Sequence, residues 1–154
     1  MKTLSGKSRL KQRMNRFKEG LARSGIKITH QRLGIFREIA ESGDHPDAER
    51  IYKGVRERVS TVSLDTVYRT LWLLLDLGLI TTLGPSRGRA RFDANMRSHH
   101  HFVCSGCGMT RDFYSAEFDQ LKIPDSVKEL GRVEKTQVDI RGICLQCSTK
   151  KEKA

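Results

Sequence analysis

The chain has no run of about eighteen apolar residues, the length a membrane-spanning helix needs. Met1-Lys2-Thr3-Leu4 leads into a polar, basic stretch with no apolar core, so nothing reads as a secretory leader, and a cytoplasmic protein is expected. Acidic residues are scarce: 18 Asp and Glu stand against 29 Lys and Arg among 154 residues. That length makes one or two small domains. No internal repeat is visible beyond two short cysteine pairs. Only four cysteines are present, too few for a disulfide-dense secreted scaffold.

The basic excess is uneven. Residues 1–93 hold 19 basic and 10 acidic side chains, whereas residues 94–154 hold 10 and 8. Within the first 23 residues, eight basic side chains face only Glu19. This skew points to a polyanion partner for the first part, or to a solvated basic tail that aids solubility.

The cysteines fall as Cys104-Ser105-Gly106-Cys107-Gly108 and Cys144-Leu145-Gln146-Cys147. Each Cys-x-x-Cys turn aims two sulfurs at one point, and two such turns supply the four thiolates of a closed tetrahedral zinc site. In a reducing compartment metal ligation outweighs the disulfide alternative. Four sulfurs leave no open position, so the role of that zinc is structural. His99-His100-His101 precedes the first pair. On a strand, His99 and His101 share one face and can ligate one metal together, with His100 opposite. Taken bare, the three are equally a surface cluster. His45, beside Pro46 in a turn, reads by itself as a loop residue.

Residues 1–14 read as a basic extension, disordered or helical only when bound, with a first helix from about residue 15 to 24. Thr29, Asp47 and Ser63 are N-cap candidates for three further helices, and Gly78 stops the last. Strand, turn and strand follow from Leu79 to Asp93, with Arg87 and Arg89 at the tip. Three helices and a basic hairpin predict a winged helix–turn–helix over residues 15–93. The helix after Ser63 would then present Tyr68 and Arg69 to a DNA major groove, although a plain amphipathic core helix would carry the same leucine stripe. Residues 94–154 predict a second, α+β domain. Its strands run near His99–Cys104 and Met109–Phe113. Short helices interrupted by Pro124 follow, then one long strand from Arg132 to Ile143 and a charged tail.

Six motifs in order carry a resemblance: Thr29-His30-Gln31-Arg32, His45-Pro46, Ser63 through Leu71, Arg91-Phe92-Asp93, His99-x-His101-x-x-Cys104-x-x-Cys107-Gly108, and Asp112 with Cys144-x-x-Cys147. From about Arg16 to Lys150 the chain resembles the ferric uptake regulator family, and within it the peroxide-sensing branch. The resemblance implies a dimeric, metal-activated DNA-binding repressor, not an enzyme. It implies structural zinc on Cys104, Cys107, Cys144 and Cys147. It implies a regulatory Fe(II) or Mn(II) on His45, Asp93, His99, His101 and Asp112, with His45 and His99 as targets of oxidation. Its DNA-facing residues would be Arg32, Ser63, Thr66, Tyr68, Arg69, Arg87 and Arg89. Aspartate at 93 and 112 favours peroxide sensing over an iron-responsive repressor of uptake genes. A more remote alternative is an Fe(II) oxygenase on His99, His101 and Asp112. A zinc-ribbon adaptor for a protein partner would leave His45 and Asp93 unexplained. Departures are His30 where proline is usual, Asp65 where a small residue is usual, Thr136 where an additional metal site would have histidine, and a longer basic N-terminus.

Overall fold

A computed structural model describes residues 5–83 and 90–152. The chain divides into two compact units, residues 1–96 and 97–154.

The first unit begins with α1 (Gly6–Arg23), α2 (His30–Glu41), α3 (Ala48–Arg56) and α4 (Leu64–Asp76). The last three start where the sequence supplies a cap. Thr29 Oγ1 accepts Arg32 N–H at 3.2 Å, Asp47 Oδ1 accepts Arg50 N–H at 2.8 Å, and Ser63 Oγ accepts Thr66 N–H at 3.1 Å. Each such cap contributes about 1 kcal/mol. At the other end of α4, Gly78 takes φ +65°. Its N–H and that of Leu79 then return to Leu75 and Leu74 carbonyls at 3.0 and 2.9 Å. The chain runs on into β1 (Thr81–Leu83), which pairs antiparallel with β2 (Arg91–Asp93). Residues 84–89 lie outside the described residues, and with them Arg87 and Arg89.

One apolar core joins these elements: Phe17 and Leu21 from α1, Ile35, Phe36 and Ile39 from α2, Ile51 and Val55 from α3, Val67, Leu71 and Leu74 from α4, then Ile80 and Phe92. Phe17 stacks on Phe36 with ring centroids 4.6 Å apart. This core corrects the reading of the N-terminus. The first helix begins at Gly6, with Ser5 accepting Ser8 N–H, rather than near residue 15. Leu10, Met14, Phe17 and Leu21 recur at helical spacing, and Leu10 and Met14 pack against the buried set. The density of basic residues hid that stripe.

The second unit holds β3 (His100–Cys104), β4 (Thr110–Phe113), α5 (Ala116–Asp119), α6 (Asp125–Lys128), β5 (Asp139–Gly142) and α7 (Leu145–Glu152). The sheet order is β4-β3-β5. β3 runs antiparallel to β4 and parallel to β5. The long strand expected from Arg132 is therefore only four residues, Asp139–Gly142. Side chains take the upstream backbone groups instead. Val138 N–H donates to His100 Nδ1, and Gln137 Nε2 donates to the His99 carbonyl, both at 3.2 Å. The expected charged tail is helical as far as Glu152.

The packing of α1 makes a measurable difference. Met14→Ala is expected to lower the stability of the first unit by about 1–2 kcal/mol in a denaturant melt, whereas Arg9→Ala stays within about 0.5 kcal/mol. Equal, negligible effects would return residues 6–14 to the status of a solvated tail.

Candidate metal centres and nucleic-acid face

The four sulfurs come from the ends of two neighbouring strands. Cys104 closes β3, Cys144 follows β5, and the parallel register sets Cys104 beside Gly142. Gly108, at φ +74°, turns the first pair back so that its N–H reaches the Cys104 carbonyl at 2.9 Å. Cys147 lies in the first turn of α7. All four Sγ atoms fall within 4.8 Å of one another. Cys107 and Cys144 are 3.8 Å apart, and no disulfide forms. A tetrahedron with Zn–S bonds of about 2.3 Å has edges of about 3.8 Å, so the set fits zinc. Electrostatics within the cluster are uneven. The Cys104 sulfur accepts backbone N–H groups, first that of Cys144 at 3.3 Å, and its pKa falls to about 6. Hydrogen bonding among the crowded thiols, first with Cys144, raises Cys147 to about 12. Thiols this close ionise together only against a divalent cation, whose binding releases their protons.

Upstream on β3, the cross-strand register sets His101 opposite Asp112. His99 Nε2 and His101 Nε2 are 3.1 Å apart. Asp112 Oδ1 lies 3.4 Å from His101 Nε2 and 3.7 Å from His99 Nε2. The far nitrogens decide which atoms these are. His99 Nδ1 sits 2.6 Å from the Arg97 carbonyl, which can only accept, so that nitrogen carries the proton. His101 Nδ1 faces the Asp139 carboxylate at 3.3 Å. Both Nε2 lone pairs therefore point inward with a carboxylate oxygen. Three acceptors converge on one small volume, the arrangement that a cation satisfies. Asp139 escaped the sequence reading, because only the parallel pairing of β5 brings it to His101. His100 faces the other way, as the alternation predicts. It is fully buried, 3.2 Å from Asp119 Oδ1 and edge-on to Phe118, and acts as a packed structural residue.

In the first unit His45 and Asp93 form a pair, Nδ1 to Oδ1 at 3.6 Å, and both are buried. The Phe92 N–H bonds to the Pro46 carbonyl at 3.1 Å, and Asp47 bridges to Arg91, so the turn holding His45 is tied to the strand ending in Asp93. Asn95 N–H fixes Asp93 Oδ1 at 2.7 Å. His45 itself takes φ +54°, a conformation that costs a non-glycine residue energy and recurs at functional positions.

The same unit presents exposed polar and aromatic side chains along α4. Tyr68, Arg69 and Trp72 stand exposed along α4. Ser63 Oγ and Thr66 Oγ1 lie 2.9 Å apart at its start. A cleft of about 260 Å³ between α4 and the N-terminus of α2 is lined by Thr29, Gln31, Arg32, Thr66 and Arg69. Backbone N–H groups at a helix start, with two arginines, suit a phosphate. Arg32 also donates to the Lys27 carbonyl at 2.6 Å. The sequence reading did not use the i,i+4 spacing of Asp65 and Arg69, which is the signal for the ion pair they form, and it did not single out Trp72, which is exposed.

Comparison with known proteins gives a consistent picture. The sequence pattern of the ferric uptake regulator family matches residues 23–141. The peroxide-responsive repressor PerR of Staphylococcus epidermidis is 30% identical over 128 residues, covering 82% of this chain and 85% of that protein. A zinc-bound manganese uptake regulator superposes with a TM-score of 0.65 at 27% identity, over 83% of this chain and 98% of its own. The ferric uptake regulator Fur of Helicobacter pylori, at 23% identity, shares the fold with a TM-score of 0.70 over 96% and 97% of the two chains.

Two outcomes follow from the donor geometry. The wild type is expected to carry one zinc per chain by native mass spectrometry, and Cys144→Ser to lose it and to expose the amides of residues 97–152 to hydrogen exchange; a folded, zinc-free variant would contradict the structural role. Asp139→Ala, which frees the His101 ring, is expected to weaken Mn(II) binding about tenfold to a hundredfold while the zinc is retained, measured by titration calorimetry.

Proposed function

The chain belongs to the ferric uptake regulator family, and from that premise we propose that it is a metal-dependent transcriptional repressor that responds to peroxide. The observation that carries this reading is the convergence of His99 Nε2, His101 Nε2 and Asp112 Oδ1, with each Nδ1 held by an oxygen. Imidazole and carboxylate donors in that mixture suit Fe(II) or Mn(II), unlike the all-sulfur set, which suits zinc. The regulatory metal takes its donors from His45, Asp93, His99, His101 and Asp112, the set that the family resemblance implies. Held there, iron would supply the reducing electrons that activate peroxide, and manganese would not. His45 and His99 would be the side chains that accept the oxygen, and an oxidised imidazole would lose the lone pair that made it a donor.

The remaining roles divide between the units. In the first, the helices from Gly6 onward and the β1–β2 hairpin form the winged-helix DNA-binding domain, with Arg32, Ser63, Thr66, Tyr68 and Arg69 toward an operator. In the second, Leu130 and Leu145 are 87% and 85% exposed, with Val133, Ile140 and Ile143 also uncovered. So much apolar surface supports burial against a second copy. No described helix is long and apolar enough to cross a membrane, and the repressor works where the DNA is, in the cytoplasm. Membership in a family of regulators sets aside the oxygenase alternative.

DNA binding should be measured by gel shift with Fe(II), with Mn(II) and with neither, before and after peroxide. Both metals are expected to switch binding on. Peroxide is expected to abolish it with iron alone, and to add one oxygen to a peptide containing His45 or His99. If the iron form keeps its DNA with both histidines intact, the protein is an iron-responsive repressor instead.

A further inference from the structure

Asp65 occupies the second position of α4, and Arg69 follows one turn later. Their side chains are 68% and 80% exposed. Arg69 donates from Nε to Asp65 Oδ2 at 2.7 Å, and Nη2 lies 2.5 Å from the same oxygen. An exposed pair of this kind adds little to folding stability. On a face offered to DNA the carboxylate also repels phosphate, so it works against general affinity. Its contribution is geometric. The carboxylate occupies one edge of the guanidinium, through Nε–H and the nearer Nη2–H. The opposite edge, formed by Nη1 and the outer Nη2 hydrogen, remains a planar fork. That fork matches O6 and N7 of guanine in the major groove, and a flexible arginine would otherwise swing toward the nearest phosphate. The first turns of a recognition helix are also where side chains reach base edges.

We propose that Asp65 is a specificity-determining residue of this repressor, one that holds Arg69 so that its outer edge reads a guanine in each operator half-site. The inference rests on the DNA-binding reading above. Restraining the guanidinium before binding removes rotamer freedom that would otherwise be lost on the DNA.

The test starts with Mn(II)-loaded wild-type protein and selection of its preferred sites from random duplex DNA. Affinities are then measured for the selected duplex, for versions with each guanine replaced by 7-deazaguanine, and for an unrelated duplex of equal length. Wild type, Asp65→Asn and Asp65→Ala are compared, with far-UV circular dichroism to confirm the fold. One guanine per half-site is expected to cost the wild type about tenfold when N7 is removed. In Asp65→Ala that penalty falls to about threefold, while affinity for the unrelated duplex rises about threefold because a negative charge is gone. Asp65→Asn, which keeps an acceptor, lies between the two in guanine penalty. Opposite movements of discrimination and general affinity distinguish a buttress from a charge. If Asp65→Ala strengthens binding to selected and unrelated DNA by one common factor, with the guanine penalty intact or no guanine penalty in any protein, the inference is wrong. If wild type selects no site with any metal, the repressor reading itself has failed.

Discussion

Both donor clusters of the second unit depend on one strand having a partner on each side. β3 pairs with β4 and with β5, and its five residues therefore meet two different sets of neighbours. His101 is set between Asp112 on β4 and Asp139 on β5, one carboxylate for each ring nitrogen. Three residues further on, Cys104 meets the turn that delivers Cys144. The two partners run in opposite senses, which is what lets one short strand collect donors from chain segments far apart. Backbone hydrogen bonding, obligatory for each buried peptide group, thus doubles as the device that brings acceptors together.

Crowded acceptors repel unless a cation or a proton lies among them. The two clusters resolve this with different chemistry. Four sulfurs, all within 4.8 Å of one another, form a closed set suited to a structural zinc. Two imidazoles and a carboxylate form an open set whose donors are turned inward by oxygen atoms behind them, at Arg97 and Asp139. The pairing of His45 with Asp93 repeats the logic in the first unit. A strained turn, tied to β2 through Pro46 and Asp47, carries the histidine to the aspartate. A residue kept in an unfavourable backbone conformation persists where its side chain is needed.

Much of the first unit was legible in the chain. Short-range chemistry marks the helix starts, so Thr29, Asp47 and Ser63 could be named as caps from identity and spacing, and each is one. The stripe of Leu10 and Met14 was equally present, yet basic residues around it suggested disorder. Burial decides such cases, and burial is a property of the partner, here the core around Phe36. The shortened β5 is a failure of the same kind. Its upstream residues carry no local signal that His100 and the Gln137 side chain would take the bonds of the ladder.

By itself, the sequence determined the ligand inventory: four thiolates in two turns, histidines on alternate faces of a strand, and a charge skew toward the helical half. Those follow from residue type and periods of two and 3.6, which any chain with these letters must obey. Tertiary structure alone decided which oxygen orients each imidazole, that Arg32 and Arg69 share one cleft, and that the turn at His45 is tied to the strand of Asp93. These are contacts between residues remote in the chain. No local rule specifies them, because they exist only once strands have paired and helices have buried their apolar faces.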